Sequence, residues 1–133
     1  MHSNKISYKA NAALPMYTIV AASTNHNEVK LATSGTDLIK GITSDVDVKQ
    51  GNLVDVQHYG VTKVRCGSVI KDGEAFTADS EGRAVKAKDG DNIAGIMLED
   101  GAKDEICYCN IVLQRAVAPT RDETPPNTAP SQG

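Results

Sequence analysis

Apolar residues along this chain come in short runs, and clusters of Gly, Asp, Asn and Ser separate them. The clearest alternation is "NLVDVQ": Val54 and Val56 fall on one side, Asp55 and Gln57 on the other. One buried and one wet face is the signature of a strand on an antiparallel sheet. Runs of four to eight residues bounded by turn residues predict strands at Tyr17–Ala22, Glu28–Ala32, Leu38–Thr43, Leu53–Gln57, Val61–Cys66, Ala75–Ala78, Arg83–Ala87, Ile93–Leu98 and Glu105–Leu113. No window of eleven or more residues carries a 3.6-residue period. The pattern predicts an all-β fold, a small barrel or sandwich of short antiparallel strands.

Two late strands break the one-sided alternation. "IAGIML" and "ICYCNIVL" are apolar on both faces. Ile93 and Met97 share one side by parity, and Ile106, Tyr108 and Val112 share one side of the next strand. A barrel interior covers only one face, so these five residues are the expected oligomer interface. A two-layer core inside the monomer is the alternative. Acids and glycines in "ADSEGRAVKAKDGDNIAGIMLEDGA" read as three chain reversals, around Gly82, Gly90 and Gly101. Asp and Asn bond their own backbone there, and glycine takes a positive φ. The spacing fits neither a calcium loop nor a phosphate loop.

The ends differ from the middle. Residues 1–16 are polar and small and read as an extended N-terminal arm. They lack the apolar core of a secretory signal. Residues 117–133 are rich in Pro and Thr and read as a flexible C-terminal tail. The β domain would span 17–116. An internal echo lines up residues 21–42 with 77–96, matching Val29, Lys30, Gly41 and Ile42 to Val85, Lys86, Gly95 and Ile96. It implies two similar three-strand units in one barrel, with convergence on common hairpin rules as the alternative.

Composition narrows the functions. The net charge is −3, and one Phe, four Tyr and no Trp are present. A nucleic-acid groove would be basic and rich in stacking aromatics, so no nucleic-acid partner is expected. No apolar run approaches the length of a membrane span. The three cysteines, Cys66, Cys107 and Cys109, read as core packing in a reducing compartment, with a zinc site as the weaker reading. His2, His26 and His58 are scattered, and no nucleophile–base motif accompanies them. No catalytic residue, metal or cofactor is expected.

"DSEGRAVKA" followed by "GDNIAGIMLEDGA", with "VQHYGVTKVRCGSVIKDGEAFTADSEGRAV" upstream, resembles the capsid decoration, or cement, proteins of tailed bacteriophages. The likeness spans roughly residues 50 to 115 and is architectural. It implies a non-enzymatic, β-rich oligomer on the outside of the expanded head, assembled in the host cytoplasm. Such a protein would bridge neighbouring major capsid proteins. The resemblance favours a trimer over a dimer. Lys5, Ile6, Tyr8, Met16 and Tyr17 are then the expected capsid-contacting residues of the arm. The rival readings are a virion-surface module for host glycans or receptors and a small metal-binding protein.

Overall fold

The computed structural model describes residues 3–116, which form ten strands and no helix. Five make a first unit: β1 (Lys5–Ala10), β2 (Ile19–Ala22), β3 (Glu28–Leu31), β4 (Ile39–Thr43) and β5 (Leu53–Gln57). They close into a barrel in the order β1-β3-β2-β4-β5. The rest make a second unit: β6 (Gly60–Arg65), β7 (Ala75–Ala78), β8 (Ala84–Lys86), β9 (Ile93–Met97) and β10 (Ile106–Gln114). Their sheet runs β6-β10-β9-β7-β8.

The two orders are one order. Each unit pairs its second strand with its third and fourth, its fourth with its fifth, and its fifth with its first. The registers agree as well. Ile19 faces Ile42 as Ala75 faces Ile96, and Val20 faces Gly41 as Phe76 faces Gly95. Ser7 faces Asp55 as Lys63 faces Tyr108. Even the loop bridges recur, Leu14 with Val48 and Ile70 with Gly101. The repeat therefore takes in five strands per unit, not the three expected. On β3 the echo was one residue out of register: Val29 corresponds to Ala84, since the two occupy the same place beside β2 and β7.

The units differ at one seam. The first barrel closes by parallel pairing of Lys9 with Glu28 and Ala10 with Val29. In the second, only the isolated bridge from Cys66 to Ala84 spans the corresponding gap. Two cores follow. Ala10, Leu14, Val20, Val29, Val54 and Val56 fill the first barrel. The alternate residues of β2, Ile19 and Ala21, point out of that barrel. With Ile39 and Ile42 they join Val64, Ile70, Phe76, Met97 and Ile111 in the second core. So one unit's outer face completes the other's interior. Main-chain bonds pin the junction, from Ile19 N–H to the Gly82 carbonyl (2.8 Å) and from Arg65 N–H to the Tyr17 carbonyl (2.9 Å).

Four expectations change. Residues 5–10 are extended, but they form barrel strand β1 rather than a free arm, because Ile6, Tyr8 and Ala10 fall on the face of Val54 and Val56. Met97 is fully buried, opposite Cys109, and cannot sit in an oligomer interface. Parity placed it beside Ile93, but a bulge opposite β9 shifts the register between Gly95 and Ile93. Gly101 is not the left-handed residue of its loop; Asp104 takes that role, at φ 69°. Gly101 is instead required by packing, since a Cβ there would meet the Cys66 sulfur at 2.6 Å. Tyr17 is not the first residue of a strand but a left-handed turn residue, at φ 52°. The tail read at 117–133 lies outside the described residues.

Gly82 and Gly90 both turn with positive φ, 71° and 92°. They differ in surroundings. A Cβ on Gly82 would meet Leu31 at 2.7 Å and the Ile19 carbonyl at 2.8 Å, whereas one on Gly90 meets nothing within 4 Å. Gly90→Ala is expected to cost roughly 1–2 kcal/mol through backbone strain alone. Gly82→Ala should cost more, because crowding at the junction adds roughly another 1–3 kcal/mol. Urea unfolding of the two variants checks the difference; equal losses would contradict the packed junction.

Candidate functional site

The repeat allows one surface to be compared with its own counterpart. In the first unit, the outer face of β1 and β5 carries Lys5, Ser7 and Lys9 opposite Gln57, Asp55 and Leu53. It is mostly polar, although Leu53 is 73% exposed on it, and the Ser7 hydroxyl donates to Asp55 at 2.8 Å. In the second unit, the same positions on β6 and β10 carry Val61, Lys63 and Arg65 opposite Asn110, Tyr108 and Ile106. Val61 is 59% exposed and Tyr108 49%. Leu98, whose N–H bonds the Tyr108 carbonyl, extends the patch past β9 and is 44% exposed. Val112 extends it along β10. The Lys63 ammonium lies 5.0 Å from the centre of the Tyr108 ring, where its charge meets the electron-rich face.

Of the expected interface residues, Tyr108 and Val112 are exposed on this face, and Ile106 and Ile93 are half-buried. Val61, Lys63 and Leu98 were not anticipated. Their signal was the pairing of β10 with β6 on one side and with the end of β9 on the other, which alternation within one strand does not reveal.

The five expected arm residues do not form one site. Lys5 and Ile6 open β1, and Ile6 is 43% exposed. Tyr8 packs against the barrel core. Met16 and Tyr17 lie beyond the far end of β1, whose six residues span about 17 Å. There the Met16 N–H donates to Asp47 at 3.0 Å, and Tyr17 joins the two units. One feature of β1 remains open to a partner. It pairs with β3 only at Lys9 and Ala10, so the edge at Lys5 and Ser7 is free of β3.

The remaining chemistry is structural. Cys66, Cys107 and Cys109 are unbridged and buried. They occupy the places of Ala10, Val54 and Val56 in the first unit, which are core positions. Burial pushes the Cys66 and Cys109 thiols up to about 12 and also raises Cys107. Among the described residues no group of three His, Cys, Asp or Glu side chains has the arrangement of a metal site. Arg83 binds Asp79 (2.9 Å), Asp104 (3.1 Å) and Glu81 (3.3 Å), tying the turn before β8 to the loop before β10. An open groove of about 540 Å³ near Lys88, Asp91, Gln114 and Arg115 holds no nucleophile–base pair.

The fold is thus a tandem of two like five-stranded units, and its candidate site is an outer sheet face rather than a cleft. Among solved structures it is similar to the N base of head fiber gp8.5 in bacteriophage phi29, at a TM-score of 0.64 and 24% identity, over 85% of this chain and 97% of that one. The likeness establishes the all-β fold, shared with a phage head protein. No family model matches the chain, and no curated protein matches it.

The thiols yield a prediction. A folded thiol with a raised pKa keeps its proton where the unfolded one has lost it. Its contribution to stability is full below the ordinary value of 9.0 and falls as pH rises from there towards about 12. Native protein at pH 8 should therefore react slowly with a disulfide reagent at all three thiols, and stability should drop above pH 9. Rapid labelling of Cys66 or Cys109 in the native state would contradict their placement in the core.

Proposed function

We propose that this protein is a phage-head decoration protein, which binds the outside of the expanded capsid and stabilises it by bridging neighbouring major capsid proteins. The observation that carries this reading is the two-unit fold shared with a head fiber base along nearly the whole of that structure. The described residues support a mechanical role rather than catalysis, since their perturbed thiols are inert core groups and their open surfaces are sheet face and strand edge.

The free edge of β1 is the capsid-contacting element in this reading. Lys5 and Ser7 present main-chain groups away from β5, and an exposed capsid strand can pair with them by strand addition. Ile6, at the barrel mouth, adds apolar contact at roughly 25 cal/mol per Å² buried. A single contact of this kind is weak. Several copies held together engage at high effective concentration. A protein that binds only the expanded shell stabilises it by linkage, about 2.7 kcal/mol per site at a hundredfold excess over Kd.

Co-sedimentation with expanded and unexpanded heads tests this. The protein should pellet with expanded heads and stay in the supernatant with unexpanded ones, and bound heads should open at a higher temperature. Equal binding to both forms, or no effect on head stability, would refute the proposal. Ser7→Pro removes an edge N–H and should weaken capsid binding at least tenfold.

A further inference from the structure

The structure assigns a site of covalent modification: the Asp89–Gly90 peptide rearranges to isoaspartate, while the other Asp-Gly peptides of the chain are held against it. There are three such pairs, Asp72–Gly73, Asp89–Gly90 and Asp100–Gly101. Glycine has no Cβ to shield its nitrogen from the preceding carboxyl, so each pair is chemically competent. What separates them is the glycine N–H.

Gly101 is buried, and its N–H donates to the Ile70 carbonyl at 2.8 Å. The Asp100 carboxylate is also engaged, accepting from the Asp72 N–H at 2.9 Å. Gly73 and Gly90 are a closer match to each other. Both are exposed and follow an exposed aspartate. Both have positive φ, 86° and 92°, and open space around them. Yet the Gly73 N–H donates to the Met97 carbonyl at 2.8 Å, and the Gly90 N–H meets no acceptor among the described residues. The turn around Gly90 is closed by its neighbours. Asp91 N–H donates to the Lys88 carbonyl (3.0 Å) and Lys88 N–H to the Asp91 carboxylate (2.9 Å). Neither bond uses the Asp89 carboxyl or the Gly90 nitrogen.

The chemistry needs only water. The Gly90 main-chain nitrogen attacks Cγ of the protonated Asp89 carboxyl and gives up its proton. A carboxyl oxygen leaves as water, and a five-membered succinimide closes. Water then opens the ring. Cleavage at the side-chain carbonyl restores aspartate; cleavage at the main-chain carbonyl leaves isoaspartate. Nothing is oxidised or reduced. At Gly73 and Gly101 the N–H is fixed by its bond, so local opening has to come first.

The product routes the main chain through the former side chain and leaves an α-carboxylate on an exposed loop. That group is what an isoaspartyl carboxyl methyltransferase esterifies with S-adenosylmethionine. The extra main-chain carbon falls inside the Lys88–Asp91 turn, beside Asn92. Asn92 ties this loop to the first unit, its N–H and side-chain amide donating to the Gly35 and Asp37 carbonyls at 2.7 Å each. Ageing therefore acts on a loop at the junction of the units.

The native full chain, held for weeks at neutral pH and body temperature, tests this. Peptide mapping by mass spectrometry locates isoaspartate, and enzymatic methyl transfer from S-adenosylmethionine counts it. Position 89 should isomerise at least about tenfold faster than 72 or 100. In concentrated urea, where the N–H bonds are lost, the three rates should converge. Asp89→Glu, which cannot close a five-membered ring, should remove most methyl acceptance from the native chain. Native rates at 72 or 100 that equal or exceed the rate at 89 overturn the inference. So does a native position 89 that stays intact while the unfolded chain isomerises, or methyl acceptance unchanged in Asp89→Glu.

Discussion

The structure depends on one shared apolar core. Ile19, Ala21, Ile39 and Ile42 leave the first barrel on its outer side and enter the interior of the second unit, beside Phe76, Val64 and Ile70. The second unit needs them because its seam between β6 and β8 is held by one bridge, where the first unit has paired strands. An open seam exposes both apolar lining and unpaired backbone, and either is costly. Covering it with the neighbouring barrel removes both problems. The close approach of Gly82 to Leu31 and Ile19 and the main-chain bonds from Ile19 to Gly82 and from Arg65 to Tyr17 then fix how the units meet.

Once stability is assigned to the interior, the outer faces are free to diverge, and they have. The same strand pair carries Lys5, Ser7 and Asp55 in the first unit and Val61, Lys63 and Tyr108 in the second. The core positions kept their size class while changing identity, with Ala10, Val54 and Val56 replaced by three cysteines. Their high thiol pKa values follow from burial, and they need no chemical task to explain them. In the proposed role, recognition belongs to the free edge of β1, which is not a cleft and suits a partner that is another large surface.

Much of the fold was legible in the sequence, because short alternating runs and turn residues are local signals. Nine of the ten strands were placed within a few residues of their observed positions. The missing one, β1, is "KISYKA", whose apolar positions alternate but whose neighbours are polar enough to look like an arm. The repeat was visible only across its second to fourth strands, where a Gly-Ile pair survives. Its first and fifth strands differ on both faces, so pairing register alone reveals them. The bulge that breaks the register between Met97 and Ile93 and the left-handed Asp104 also left no local mark. For the candidate site, Tyr108 and Val112 could be found from one strand's alternation; Val61 and Lys63 required knowing which strand lies beside it.

If the shared core governs the molecule, the two units cannot unfold separately. Scanning calorimetry measures this directly. The account predicts a single transition whose calorimetric and van't Hoff enthalpies agree once the mass of the unfolding species is included. Ile19→Ala should lower that transition without splitting it. Two resolved transitions, with only one of them moved by Ile19→Ala, would contradict a core held in common.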